Sequence, residues 1–272
     1  MINCPAPRLR RRLTITRPFR IGAAILALAL LPPGLVAVSM APASAASNIL
    51  GSGQQLNGGQ EITAGNYWLI MQTDGNLVEY DSAGAQWASD TAGEPGNYVI
   101  MQTDGNLVVY SSGGQWRWQS GTYGYGGAYL AVQTDGNVVV YSSGGSPLWA
   151  KSWTQSAAGA QAYAQVLFVH YGWSVSGQYP YLNDLWTRES NWRWNVCNGG
   201  GTYPTCDYTG IAYGIPQSDP GSKMAANGPD WPTDGLTQVA WGLAYISSAY
   251  GNPENAWNHD VNCGYCGYSP TQ

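Results

Sequence analysis

A nine-residue segment is written three times, at Gln72–Tyr80 (QTDGNLVEY), Gln102–Tyr110 (QTDGNLVVY) and Gln133–Tyr141 (QTDGNVVVY), 30 and 31 residues apart. Side chains of a strand alternate between its two faces, so Asn106, Val108 and Tyr110 share a face beyond a turn that holds Gln102 and Asp104. The same holds for Asn76, Val78 and Tyr80 after Gln72 and Asp74, and for Asn137, Val139 and Tyr141 after Gln133 and Asp135. An accepting carboxylate, two carboxamides that donate and accept, a phenol and one aliphatic patch suit a ring of adjacent hydroxyls. The polar groups bond neighbouring OH groups while a CH face rests on valine. Turn propensity alone explains Asp104, Gly105 and Asn106, but not Gln and Tyr kept at fixed offsets in every copy.

A different chemistry is suggested near Glu189. The segment YLNDLWTRES predicts a helix with Leu182, Leu185 and Trp186 on one face, and Glu189 falls on or beside that face. A carboxyl among Trp186, Trp192 and Trp194 is in surroundings that raise its pKa, as a general acid for a glycosidic oxygen requires. A surface Glu paired with Arg188 or Arg193 fits the spacing equally well. A two-carboxylate hydrolase would need one partner acid, for which the candidates are Asp184, Asp207 and Asp219, none of them in a convincing motif.

The elements that position these groups differ between the two halves. From Ser47 to about Trp153, short apolar runs (NYWLIM, NYVIM, AYLAV) each enter a Gln-Thr-Asp-Gly-Asn segment and are followed by a second apolar run. Asp-Gly between β-rich runs is a hairpin signal. Tyr98–Gln102 and Leu107–Tyr110 therefore read as paired strands of an all-β unit with threefold internal repetition. Trp87, Trp116 and Trp149 are expected at its shared centre. Residues 154–160 (TQSAAGA) read as a linker, and a helix with a stripe of Ala162, Val166 and Val169 is expected to follow, ending near His170.

Residues 1–45 join six arginines to an apolar run from Ile21 to Leu31 and a small-residue APASA stretch, and read as an export signal. Without them five basic residues face 16 acidic ones, a net charge near −11, which argues against nucleic acid or anionic membrane as a partner. Secretion, with cell-wall association as an option, is the expected location. The four cysteines left, Cys197, Cys206, Cys263 and Cys266, are expected as local bridges 197–206 and 263–266; crossed pairings and a Cys₄ zinc site are the alternatives. No cofactor or metal is expected.

The pattern Gln-x-Asp-x-Asn-x-Val-x-Tyr, complete in all three copies, resembles the signature of the bulb-type (monocot) mannose-binding lectins over 46–153. The resemblance implies a β-prism II of three four-stranded sheets with one calcium-independent mannose pocket per repeat, and mannose-containing glycans as partners. The cysteine pair that often staples such domains in plants is missing here. The oligomeric state is left open, with a dimer among the alternatives.

Five blocks of the second half, LWTRESNWRWN, AYGIPQ, PGSKMA, DWPTDGLTQVAWGLAYI and YGNPENAW, are similar in sequence and order to the actinobacterial branch of the lysozyme-like soluble lytic transglycosylases. That resemblance implies a helical lysozyme-like domain over 161–272 that cleaves the MurNAc–GlcNAc bond of peptidoglycan and leaves 1,6-anhydro ends. Glu189 would be its catalytic acid, with Ser190 supporting it. Gln217 would bind or orient sugar, Tyr213 would line the cleft, and Tyr245 and Tyr250 would close it. Where the family has a short bridge, this chain has VCNGGGTYPTCDYTG. The alternatives are a hydrolytic lysozyme, or a lectin whose second domain only grips glycan. The overall expectation is a multidomain chain, all-β followed by mainly α.

Overall fold

The computed structural model describes residues 47–264. The expected leader, 1–45, and Cys266 lie outside the described residues. No helix among those described is long and apolar enough to cross a membrane.

Three four-stranded antiparallel sheets form a β-prism, each built around one copy of the repeat. The first joins β3 (Glu61–Ala64), β4 (Tyr67–Met71), β5 (Leu77–Asp81) and β6 (Gly84–Ala88). The second joins β2 (Gln55–Leu56), β7 (Tyr98–Met101), β8 (Leu107–Tyr110) and β9 (Trp116–Gln119). The third joins β1 (Ile49–Leu50), β10 (Tyr129–Val132), β11 (Val138–Tyr141) and β12 (Pro147–Ala150). The N-terminal strands β1 and β2 thus complete the sheets of the later repeats and close the threefold figure. The expected pairing is observed, with Tyr98 opposite Tyr110 and Met101 opposite Leu107. Each turn is set by its glycine: Gly105 has φ +98°, and a Cβ there would strike the carbonyl of Tyr125.

Strand alternation sends Leu77, Leu107, Val109, Val138 and Val140 to the central core. At that centre Trp87, Trp118 and Trp149 meet edge to face, with ring centroids 5.3, 5.5 and 5.6 Å apart. Trp118 therefore holds the place expected for Trp116, which is 43% exposed. The cause is the register shift after Val109, which leaves Trp118 opposite Val109 just as Trp149 lies opposite Val140 and Trp87 opposite Glu79.

The second half is helical: α1 (Ala157–Leu167), α2 (Val175–Ser190), α3 (Gly235–Tyr250) and α4 (Pro253–Asn262). Their starts follow capping rules. Asp234 caps α3 by accepting from Leu236 N at 2.7 Å, and Asn252 caps α4 through Asn255 N at 2.8 Å with Pro253 in the first turn. Asn191, in the left-handed conformation, ends α2.

The stretch 154–160, expected to be a linker, already contains the first turn of α1, with Gly159 and Ala160 buried. The face of α1 also differs from the expected one. Ala160, Tyr163, Ala164 and Leu167 are buried, while Val169 is 59% exposed. Small alanines and one tyrosine fit against the prism, so the neighbouring surface decides which face is covered. A continuous apolar core runs from Leu50 through the tryptophan trio to Ala256. Polar contacts stitch the same seam: Tyr163 Oη donates to Ser120 O at 2.6 Å, Tyr125 Oη to Val166 O at 3.0 Å, and Trp118 Nε1 to Asp230 Oδ2 at 2.6 Å. His170 stacks on Tyr123 with centroids 3.6 Å apart. Gly121 makes this approach feasible, since its φ is +69° and a Cβ would run into the Tyr163 hydroxyl.

Candidate functional site

Two kinds of site emerge, one repeated and one single. On the prism, each repeat hydrogen-bonds its own turn in the same way. Gln102 N donates to Asn106 O at 2.8 Å, Gly105 N to Gln102 O at 3.1 Å, and Asn106 N to Asp104 Oδ1 at 2.9 Å. Asp74 and Asp135 accept from Asn76 N and Asn137 N at 3.0 Å each. One carboxylate oxygen is thus spent on the turn, and the other faces outward on an exposed residue. The turn bond uses one oxygen of this aspartate and leaves the other for a ligand reading.

The Gln and Tyr of each copy are coupled. Gln72 Nε2 donates to Tyr80 Oη at 2.9 Å, Gln102 to Tyr110 at 3.0 Å and Gln133 to Tyr141 at 2.7 Å. Each tyrosine is braced by an aromatic on the neighbouring strand, Trp68, Tyr98 or Tyr129, at 5.5–5.8 Å between centroids. With the amide donating inward, Gln Oε1 and the phenol hydrogen are left to address a ligand. Val78, Val108 and Val139 are buried yet lie outside the central core cluster. They floor the outer face between these polar groups.

The single site lies at the end of α2. Glu189 is half-buried in the last turn, and its pKa is pushed up to about 7. Burial is the main cause and the Asp260 carboxylate adds to it, while the Arg188 cation opposes both. Arg188 Nε reaches Asp260 Oδ2 at 3.0 Å, and Asp260 is buried on α4. Glu189 itself is thus not the partner of Arg188 in that ion pair. Asp260 also raises the Tyr250 phenol, after burial as the leading cause, so Glu189 and Tyr250 surround one carboxylate. Tyr245 lies parallel to Trp241 at 5.4 Å and edge-on to Tyr250 at 6.2 Å.

Ser190 is buried and donates to Ile215 O at 2.8 Å, which fixes the end of α2 to the turn carrying Gln217. Gln217 adopts φ +48° and donates to Gly214 O at 2.9 Å, leaving its Oε1 as an acceptor. Ser190 is therefore a positioning residue that ties the end of α2 to the turn of Gln217, while Asp260 lies close to Glu189 and to Tyr250, which packs on Tyr245.

Tyr213 does not join them. It is fully buried, donates to Pro232 O at 2.6 Å, and packs between Tyr208 and Trp231 in a separate small core with Cys197 and Met224. Its backbone bridges to Cys197 and Ser218 turn its ring inward, away from any ligand. The disulfide Cys197–Cys206 closes the intervening loop as expected. The proposed 263–266 bridge involves Cys266 and so falls outside the described residues. Of the candidate second acids for a hydrolase, Asp184 and Asp219 are exposed, and Asp207 is held below the ordinary carboxyl range by Thr209 and the Gly210 amide. Among the described residues no cluster of three or more His, Cys, Asp or Glu could hold a metal.

Sequence reasoning missed the buried polar residues that hold the helical half together. Gln238 accepts from Ile215 N and donates to Trp194 O and Trp231 O, all at 2.9 Å. Asp230 accepts from Trp118 and from Thr237 Oγ1 at 2.9 Å. Only Asp234 carried a local signal, as a cap ahead of an apolar run.

No protein-family model matches the chain. Among curated proteins it is 45% identical over 49 residues to curculin-2 of Molineria latifolia, which is 18% of this chain and 31% of that protein. It is 50% identical over 46 residues to a mannose-specific lectin of Aloe arborescens, 17% of this chain and 42% of that protein. The matched stretch thus spans less than half the length of either relative. Among solved structures, a monomeric monocot mannose-binding lectin of Gastrodia elata is 42% identical (38% of this chain, 96% of that chain, TM-score 0.36). The snowdrop (Galanthus nivalis) agglutinin, solved with methyl-α-D-mannoside, is 43% identical (35% of this chain, 89% of that chain, TM-score 0.34). In sequence, the β-prism half of the chain is thus similar to mannose-binding lectins of the bulb type.

Proposed function

We propose that this is an exported protein that binds mannose-bearing glycans through its prism and cleaves peptidoglycan with its helical half. The binding reading is carried by the Gln–Tyr pair, outward carboxylate and valine floor present on every sheet. Single pockets are expected to bind weakly, so several sites on one prism would act by avidity. Binding to mannose-agarose, eluted by free mannose in the presence of a chelator, is the expected outcome. Changing Asp74, Asp104 and Asp135 together to Asn preserves the turn acceptor and removes the outward one. Retention that survives this triple change would exclude the pockets.

The cutting reading is carried by Glu189, a half-buried carboxyl whose pKa lies near neutrality beside an already neutralised Arg188–Asp260 pair. The resemblance of the LWTRESNWRWN block to the lytic transglycosylases supports the same role for Glu189. Protonated Glu189 gives its proton to the bridging oxygen as the C1–O bond of MurNAc breaks. The carboxylate then takes the proton of the substrate's 6-hydroxyl as that oxygen closes on C1. No water is consumed, so the product is lighter than a hydrolytic one by one water. Because the acid must begin protonated, kcat/KM is expected to fall as pH rises through about 7. Incubation of the native protein and Glu189→Gln with purified peptidoglycan, read by mass of soluble muropeptides, tests this. General acid–base loss is worth roughly 10²–10⁴-fold. Equal release by both proteins would defeat the cutting reading, and products carrying the extra water would make it a hydrolase.

A further inference from the structure

The three outer faces of the prism are not equivalent. The residue paired with the pocket valine is Ala88 opposite Val78, Ala150 opposite Val139, but Gln119 opposite Val108. Directly opposed residues of antiparallel strands project on the same side. Two faces thus place a methyl group beside the valine floor, and the second places a carboxamide there.

That carboxamide is engaged. Asn106 Nδ2 donates to Gln119 Oε1 at 2.8 Å, while Asn106 Oδ1 accepts from Ser120 Oγ at 3.2 Å and Thr122 N at 3.1 Å. Both ends of the Asn106 amide are satisfied within the protein, and the residue is 5% exposed. Its counterparts share only the second half of this arrangement. Asn76 Oδ1 accepts from Ser89 Oγ and Thr91 N, and Asn137 Oδ1 from Ser152 N. Both stay half-buried, and neither Nδ2 is bonded to another described residue. The donor available to a sugar hydroxyl in the first and third faces is therefore already used in the second.

We propose that Gln119 closes the second pocket, making the prism a two-site lectin whose working faces are those of Asp74 and Asp135. The proposal rests on the mannose reading given above. A sugar entering the second face would have to break the Asn106–Gln119 bond and displace the Gln119 side chain from the valine floor. One forfeited hydrogen bond weakens binding by about tenfold.

Saturation-transfer NMR with methyl α-D-mannoside on the whole chain isolates this pocket. Asp74→Asn/Asp135→Asn leaves only the second face, and its signal is expected to vanish or its Kd to rise about tenfold. Adding Gln119→Ala should restore binding near the affinity of a native single site, and Gln119→Ser, less costly to the strand, should do the same. Undiminished single-site affinity in the double Asn variant with Gln119 intact would overturn the proposal. So would failure of both Gln119 replacements to restore binding while thermal unfolding remains native-like. If the native protein shows no transfer at all, the mannose reading itself fails.

Discussion

The prism and the helical half hold polar groups against a buried core by opposite means. The prism writes one solution three times, so each pocket is local: an Asx turn, a Gln–Tyr bond and a valine within nine residues. The helical half uses single copies joined over long distances, as when Trp118 reaches Asp230 across 112 positions of sequence. Repetition makes departures informative. Trp116, Glu79 and Gln119 stand out only because two sister repeats show what the position otherwise holds. In the helical half no such internal control exists, and a residue's role must be read from its contacts.

The sharpest way to break this comparison is to ask whether the halves are energetically separate. Trp118 is 1% exposed and belongs to both, through the tryptophan trio and through its bond to Asp230. Trp118→Ala should cost about 3–5 kcal/mol through its cavity, with a further penalty for the buried carboxyl it leaves behind. Because the core is continuous, calorimetry should show one transition moving down as a whole. Two transitions, with the helical one unmoved, would show the halves to be independent. Trp116→Ala, at the position first expected in the core, should change stability by no more than about 0.5 kcal/mol.

A smaller effect tests how strictly threefold the prism is. Glu79 occupies the core position that Val109 and Val140 hold in the other repeats; it is fully buried, and its pKa is raised chiefly by burial against an opposing Lys151. Lys151 Nζ meets Glu79 Oε2 at 2.8 Å, while Oε1 has no hydrogen-bond partner. Removing one partner of a buried pair strands the other, whereas an apolar replacement can be neutral or stabilising. Lys151→Ala should therefore destabilise by about 2–3 kcal/mol. Glu79→Val, which restores the repeat, should be neutral or stabilising in urea titration. A large loss from Glu79→Val would mean that the asymmetry itself holds the prism together.

How much could be read beforehand follows the same division. The hairpins were legible because Asp-Gly turns and period-two runs are local signals, and so was the buried face of α2, where Leu182, Leu185 and Trp186 are all buried. Trp116 was misplaced because counting along the chain cannot see the register shift after Val109. The face of α1 was misjudged because a helix rich in alanine has weak periodicity, and the prism selects Tyr163 and Leu167. Tyr213 looked like a ligand contact because it stands beside a motif, yet two backbone bridges turn it into a core. The seam had no signature at all, since neither Trp118 nor Asp230 carries any mark of the other.

That seam supplies the most graded test. Asp230 and Asp234 are both buried, and both pKa values are raised, chiefly by burial; the Asp230 charge adds to the rise at Asp234. Glu189, near 7, shifts in the same direction. An unfolded Asp or Glu titrates near about 4, so the folded protein holds more protons than the unfolded chain at any pH between about 4 and the raised folded values. Stability must then be greatest at the acidic end of that window and fall as pH rises through the folded values. The melting temperature should accordingly be higher at pH 5 than at pH 8. Asp234→Asn keeps the acceptor that caps α3 and removes one ionisable partner, so it should flatten this slope while leaving the acid-side stability nearly intact. A melting temperature that climbs from pH 5 to pH 8 would mean that these carboxyls ionise as easily inside as outside. The seam would then be wet, and the two halves joined far more loosely than the Trp118–Asp230 bond implies.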